Sequence, residues 1–406
     1  MPPSDQPGPE APLRAAIPGL SGKRFRSGLL AWLAVMVASG ALVLLGFELH
    51  LRRSAFHIAG EGAVIERNPE LLVRHTARGR RLVPNARVVI HNHHLSRRDV
   101  PMHINSLGFR GEELPEPKPP GEWRVLVLGD SITWADYLPV EESFVARAEA
   151  ELRSGAHGEA GRRARLVNAG VGDVGLREEL DILEESGLGV HPDAVVVAFY
   201  LNDSRPSWGF EGEAGHRGWL RRNSLVADRI YQGLLLRRWI RQTGEHRFGW
   251  IAALDGAQWA NDRERFLQVA ELARHDWGAA WEAASWDGVS VEFDRLRLLS
   301  ARHGWQVAVV ALPVAMQVYA SFLEAYPQEM LARTAQRLGF RYLDLLPLLR
   351  ASHGFRNLYF DHCHPNAEAN ALIGSFLARF LARELAPGGG AHDVGQAAEG
   401  ASPDAP

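Results

Sequence analysis

From Trp123 onward the chain alternates two hydrophobic patterns. Short runs that are apolar at nearly every position, "RVLVLG", "ARLVNAG", "AVVVAFYL", "WQVAVVALPV" and "FRYLDLLPLL", are separated by stretches with helical spacing of their apolar residues. These stretches include "EESFVARAEAELRSG", "REELDILEESG", "VEFDRLRLLSARHG", "EMLARTAQRLG" and the closing "NAEANALIGSFLARFLAREL". A strand that is apolar on both faces must be covered on both faces, and helices between successive strands supply the cover. The predicted fold class is therefore α/β, with a parallel sheet between helical layers. Such sheets bind ligands beyond the carboxyl ends of their strands, so the residues that follow each apolar run are the first places to look for chemistry.

Three regions depart from this rhythm. Leu29 to Phe47, "LLAWLAVMVASGALVLLGF", carries no charge over about nineteen residues, enough to cross a bilayer as a helix. It runs on past Ala38-Ser39-Gly40, longer than the apolar part of a cleaved signal peptide, so an uncleaved anchor is the favoured reading. Between about 204 and 288 lies an insertion with helical patches and eight tryptophans: Trp208, Trp219, Trp239, Trp250, Trp259, Trp277, Trp281 and Trp286. Helical patches need a face to bury, so these rings are expected to form a core rather than a stacking or membrane-facing surface. Residues 48–122 read as an appendage of short β-like pieces ending in the Pro-rich linker "PEPKPPGE". The tails 1–28 and 387–406 hold too few large apolar residues in their Pro-, Gly- and Ala-rich stretches to order themselves, and disorder is expected in both.

Composition narrows the function classes. With 406 residues, 46% hydrophobic and 23% charged, the chain can bury a full-sized core. A net charge of −3 with scattered arginines gives no electrostatic footprint for nucleic acid. Arg14, Lys23, Arg24 and Arg26 precede the apolar stretch and Arg52 and Arg53 follow it, a bias that places the N-terminus in the cytoplasm and the rest of the chain outside. The single cysteine, Cys363, has no internal partner and is silent about the compartment.

The candidate chemistry sits at the ends of the apolar runs. The first run ends in Gly129-Asp130-Ser131. As a turn, Gly129 supplies an unusual backbone angle and the polar pair a cap; as a catalytic element, Ser131 is a nucleophile without the second glycine of a G-x-S-x-G elbow. A serine needs a base and the base an orienting carboxylate. In "LYFDHCHPNAEANALIGSF", Asp361 and His364 are three apart just before the last helix, a spacing at which a turn can join carboxylate to imidazole and leave the other ring nitrogen for Ser131. The alternative is helix capping around Pro365, and His362 is a rival base that its neighbour Asp361 would point away from. Oxyanion donors are available in "VNAGVGDVG", with Asn168, Gly170 and Gly172, and in "FYLNDS", with Asn202 and Asp203.

Taken in order, "GDSIT", "NAGVG", "LND" and "DHCHP" resemble the four blocks of the SGNH, or GDSL, hydrolases. The lead-in "HINSLGFRGEELPEPKPPGEWRVLVLGDS" is similar to that of membrane-anchored bacterial members. The resemblance covers about 123–386. It implies a flavodoxin-like three-layer α/β/α fold, with Ser131 as nucleophile, His364 as base and Asp361 as its partner. It also implies an oxyanion hole of the Ser131 amide, a Gly172 amide and the Asn202 side chain, with no cofactor and no metal. Two positions depart from the pattern: Leu201 stands where glycine is common, and an ungapped alignment puts Asp173 in place of Gly172. The family's substrates range over lipids, thioesters and acetylated carbohydrates. The polar run Asn202-Asp203-Ser204 favours a short-acyl ester of envelope carbohydrate, an acetyl ester above all, as substrate, with hydrolysis or transfer both open.

Four rival readings remain. Gly170-Val-Gly172-Asp-Val-Gly175 is formally the G-x-G-x-x-G dinucleotide fingerprint, with Asp203 as its later acid, but it leaves Ser131, Asp361 and His364 unused. His91, His93, His94 and His103 could be metal ligands, although no cysteine or carboxylate pair completes a set nearby. Cys363 is a poor nucleophile because it lies inside the loop that holds the base. A catalytically inactive relative acting as a binding module is the last.

Overall fold

The computed structural model describes residues 22–56, 63–66, 72–76, 78–204, 220, 224–243, 249–254, 258–354 and 356–387. The expectation of disorder in the two tails lies largely outside them. The chain divides into two units, 1–52 and 53–406.

The first unit is a helix, α1 (Gly22–Phe56). Within it Leu30–His50 is long and apolar enough to cross a membrane, reaching three residues past the Phe47 expected from the sequence. Leu30, Trp32, Val37 and Val43 on this helix are exposed, whereas a core helix of a soluble protein would bury such residues.

The second unit begins with short strands. β1 (Ala63–Glu66) pairs parallel with β4 (Arg87–His91), which pairs antiparallel with β5 (Val100–His103); β2 (Val73–Thr76) and β3 (Gly79–Leu82) form a hairpin between them. Val88, Ile90, Val100, Met102, Ile104 and Phe109 are buried in the same hydrophobic cluster as the main sheet. The Pro-rich stretch is tied down as well, by Lys118 Nζ on Asp193 (2.5 Å) and by Arg124 on the carbonyl of Pro115 (2.7 Å). Residues expected to form an appendage and linker thus pack against the main-sheet body.

The main sheet has five parallel strands: β6 (Trp123–Gly129), β7 (Ala164–Asn168), β8 (Ala194–Tyr200), β9 (Gln306–Leu312) and β10 (Arg341–Asp344). Their spatial order is β10-β9-β8-β6-β7, which counted from β6 is the 2-1-3-4-5 order of flavodoxin-like sheets. Every residue of β6 and β8 is buried, as the unbroken apolar runs require. One face is covered by α3 (Phe144–Glu151) together with the late helices Leu345–His353 and Ala367–Glu384; the other is covered by Leu176–Glu185, Ser285–His303 and Tyr326–Leu338. The outward groups of the edge strand β7 are capped rather than left open: Arg153 donates to Ala164 O (3.3 Å), Leu166 N–H donates to Glu149 (2.8 Å) and Arg110 N–H donates to Asn168 O (3.2 Å). An edge closed in this way resists pairing with another chain.

In the insertion, Trp250 and Trp277 are fully buried and meet edge to face with ring centroids 5.6 Å apart; Trp286 is also buried, while Trp259 and Trp281 are half-buried against the same cluster. These five rings serve a core. Trp208, Trp219 and the side chain of Trp239 lie outside the described residues.

Candidate active site

The order of the sheet reverses between β6 and β8, and the first and third strand ends flank that switch point. β6 ends at Gly129, where a Cβ would fall 2.1 Å from Thr133 Oγ1 and 3.0 Å from Ala198 O. Only glycine lets the chain turn so close to its neighbour. Asp130 then caps a one-turn helix, α2 (Ser131–Trp134), by accepting from the Ile132 N–H at 2.9 Å, so Ser131 stands at the first helical position. From the other side of the sheet end, the loop before helix Ala367–Glu384 folds back. Asp361 Oδ1 accepts from the amides of Cys363 (2.9 Å) and His364 (2.8 Å), a turn stabilised by its own carboxylate.

This turn fixes a three-residue relay. Asp361 Oδ2 lies 2.8 Å from His364 Nδ1, and His364 Nε2 lies 3.0 Å from Ser131 Oγ. Burial alone would lower the His364 pKa, but the hydrogen bond and charge of Asp361 outweigh it and the imidazole is held above its ordinary value. For Asp361, burial works toward the neutral acid, and the bond and charge of His364 reverse it, so the carboxyl sits well below the usual range. His362 turns its ring onto Trp250, with centroids 4.7 Å apart, and its Nδ1 is 3.9 Å from Asp361. Cys363 is buried with its thiol pushed well up by desolvation, which keeps it protonated.

The donors expected for an oxyanion separate in space. Gly172 comes close to the serine: a Cβ built on it would lie 4.0 Å from Ser131 Cβ and 3.0 Å from the Trp134 ring. Gly170 instead packs against the backbone of α2, where a Cβ would meet Trp134 N at 2.2 Å. Asp173 occupies a left-handed turn, φ 59°, and Asn168 donates to Thr133 O at 2.6 Å and accepts from the Gly170 amide at 3.0 Å. Asn202 is buried in the turn after β8 and donates to Asp130 Oδ2 at 3.3 Å. Its neighbours do not line an open mouth. Asp203 accepts from the Tyr200 amide (2.8 Å), Ser204 donates to Leu201 O (2.8 Å), both are buried, and Leu201 is wholly in the core.

The rival sites take other shapes. In the G-x-G-x-x-G stretch the first glycine is filled by α2, and Asp203 accepts from the Tyr200 amide. The four histidines go to separate partners: His91 to Asp99 (2.8 Å), His93 to Asp136 (3.4 Å), His103 to Glu112 (3.1 Å), with His94 stacked on His93. Two cavities, of about 730 and 610 Å³, lie away from the relay, and neither is lined by Ser131 or His364.

Sequence reasoning passed over several residues around the relay. Tyr137 is fully buried and packs edge-on against His364, centroids 5.2 Å apart; His93, held by Asp136, packs on Tyr137 in turn. Leu95 N–H donates to His93 Nδ1 (3.2 Å), so Nε2 carries the ring proton toward Asp136. The "HNHH" cluster was visible in the chain, but only as a possible ligand set. Asp130 was expected as a cap and is one, but its bond from Asn202 had no signal in the sequence.

No family model and no curated protein matches this chain. Among solved structures it is similar to the acetyl xylan esterase AlAXEase, at 13% identity over 63% of this chain and 97% of that one, TM-score 0.36. It is similar also to a catalytic mutant of an acetylxylan esterase from Geobacillus stearothermophilus (13% identity, 64% and 94% covered, TM-score 0.37) and to TesA (15%, 64% and 98%, TM-score 0.33). Its five parallel strands take the flavodoxin-like order, with three of the four sequence blocks at the ends of β6, β7 and β8 and the fourth in the loop before helix Ala367–Glu384.

Proposed function

We propose that the protein is a serine ester hydrolase in which Ser131 is the nucleophile, His364 the general base and Asp361 the group that orients and charges it. The observation that carries this reading is the unbroken relay from Asp361 Oδ2 through His364 to Ser131 Oγ, at 2.8 and 3.0 Å. In the first half-reaction Ser131 Oγ attacks the acyl carbon while its proton passes to His364 Nε2. The carbonyl oxygen becomes an oxyanion, received by the amides of Ser131 and Gly172 and by the Asn202 side chain. Asn202 has two N–H groups, and with one on Asp130 the other remains for the substrate. The tetrahedral intermediate then expels the alcohol, which takes the proton from His364. Water repeats the sequence on the acyl-enzyme, with His364 again accepting and returning a proton.

The acyl group is short, and the alcohol is an envelope carbohydrate. Trp134 and Ile132 beside Ser131 are buried, which favours an acetyl group over a long chain. Leu30–His50 anchors the enzyme with its N-terminus in the cytoplasm and the catalytic unit outside. An activity-based fluorophosphonate tests the core of this reading: wild-type protein should be labelled at Ser131 and Ser131→Ala should not. A folded wild-type protein that neither labels nor hydrolyses p-nitrophenyl acetate would instead be a binding module.

A further inference from the structure

Arg110 comes from the segment ahead of the sheet and ends beneath the nucleophile turn. It is 4% exposed. One guanidinium nitrogen donates to Trp134 O (2.7 Å) and Ala135 O (2.5 Å), the other terminal nitrogen donates to Leu138 O (2.5 Å), and among the described residues no carboxylate accepts from it. Burial draws its pKa down to about 10, which leaves it charged at neutral pH. A buried cation bonded only to carbonyls is costly unless those carbonyls need it. Here they do. α2 is a single turn, too short to hold itself together, and its last residues have carbonyls with no partner further along a helix. Ala135, which closes it, sits at φ 52°, ψ 42°, a left-handed conformation that strains a residue with a Cβ. The backbone of Arg110 is pinned as well, by its N–H on Asn168 O, and Asn168 grips Thr133 O of the same turn.

We propose that Arg110 is a positioning residue of the active site: by holding the Trp134, Ala135 and Leu138 carbonyls it fixes the one-turn helix whose other end presents Ser131 to His364. This rests on Ser131 being the nucleophile. Asp130 secures the front of α2 and Arg110 the back, so losing Arg110 lets Ala135 relax and tilts Ser131 Oγ and its amide away from the reacting carbon. The segment before the sheet is then part of the catalytic machinery, not a spacer between anchor and enzyme.

The test compares two buried arginines in the full-length protein in detergent. Arg124 is also fully buried and also bonds carbonyls, those of Val190 and Pro115, but at the opposite end of β6. R110M should lower kcat by about a hundredfold with KM changed by less than about threefold, the loss expected of a misplaced reacting group. R110K, keeping the charge without the fork, should lose about tenfold. In R110A, added guanidinium should restore activity by about tenfold and urea should not. R124M should melt lower, as R110M does, yet turn over at the wild-type rate per folded molecule. Wild-type kcat in folded R110M or R110K, an equal kcat loss in R124M, or equal rescue by urea would overturn the proposal. Wild-type protein that does not hydrolyse the ester would overturn the hydrolase reading instead.

Discussion

Asn202 and Asp130, from the turns that end β8 and β6, meet across the switch point of the sheet, with Asn202 Nδ2 donating to Asp130 Oδ2 at 3.3 Å. Asp130 is fully buried, and desolvation raises its pKa. It accepts from Ile132 and from Asn202, and its Oδ2 lies 3.3 Å from Ser131 Oγ. Asp130 therefore ties the side-chain amide of Asn202 to the turn that carries Ser131. If Asn202 donates to the oxyanion, Asn202→Ala should lower kcat on the order of a hundredfold and leave KM nearly unchanged. A loss confined to KM, measured over a full concentration range, would make Asn202 a binding group only.

The two glycines of the second block should separate cleanly. Gly172→Ala places a methyl 3.0 Å from the Trp134 ring, a contact that a small movement of the ring relieves. It should cost about 1 kcal/mol of stability and about tenfold in kcat, because the ring and the amide beside Ser131 move with it. Gly170→Ala drives its methyl to 2.2 Å from a backbone nitrogen of α2, which cannot yield alone, and should cost about 3 kcal/mol or more. Thermal melts and kinetics on both variants check the contrast. A Gly170→Ala protein as stable as wild type would contradict the close approach.

The Asp361–His364 pair sets the pH dependence. Because His364 is held above the ordinary imidazole value and must be neutral to accept a proton, the acid limb of kcat/KM should have its midpoint above that of a free imidazole. Asp361→Asn removes the charge that opposes desolvation, so the limb should move to lower pH while the maximal rate falls by about ten-thousandfold. The same shifts act on stability with opposite signs. The raised His364 stabilises the fold below its unfolded value, and that contribution is lost as pH rises through its native value. The depressed Asp361 stabilises above the ordinary carboxylate range, and its contribution is lost as pH falls through its native value.

Apolar runs announced the sheet because a fully buried strand must be apolar on both faces, and β6 and β8 are buried at every position. The relay was legible because a serine after one strand and an Asp-x-x-His before the last helix are local patterns. Arg110 and the His93–Asp136 pair were not, since their partners are carbonyls and side chains 24 to 43 residues away and no local spacing encodes such contacts. The polar run Asn202-Asp203-Ser204 misled in part. Two of its three side chains satisfy their own turn, which composition cannot distinguish from a polar pocket.

If the positive residues on the N-terminal side of Leu30–His50 hold that end in the cytoplasm, the proposed catalytic unit lies outside. Alkaline phosphatase fused after Arg53 should be active and a fluorescent protein fused there dark when exported by the unfolded route. The reverse pattern would turn the enzyme to the cytoplasm and remove the envelope from its substrates.

Acyl length and acceptor are the remaining choice, and the surroundings of Ser131 set the expectation. Ile132, Thr133 and Trp134 are buried, and a Cβ on Gly172 would fall 3.0 Å from the Trp134 ring and 4.0 Å from Ser131 Cβ. An acetyl group needs only the space in front of Ser131, whereas a chain of eight carbons or more needs an apolar channel to be worth burying. Turnover of p-nitrophenyl acetate should therefore exceed that of the octanoate by at least about tenfold, a difference of about 1.4 kcal/mol in the transition state. Acetylated polysaccharide should release acetate, and added alcohol acceptors should divert part of the acyl-enzyme if transfer competes with hydrolysis. A preference for long chains would remove the carbohydrate reading and leave a lipase or thioesterase working from the same three residues.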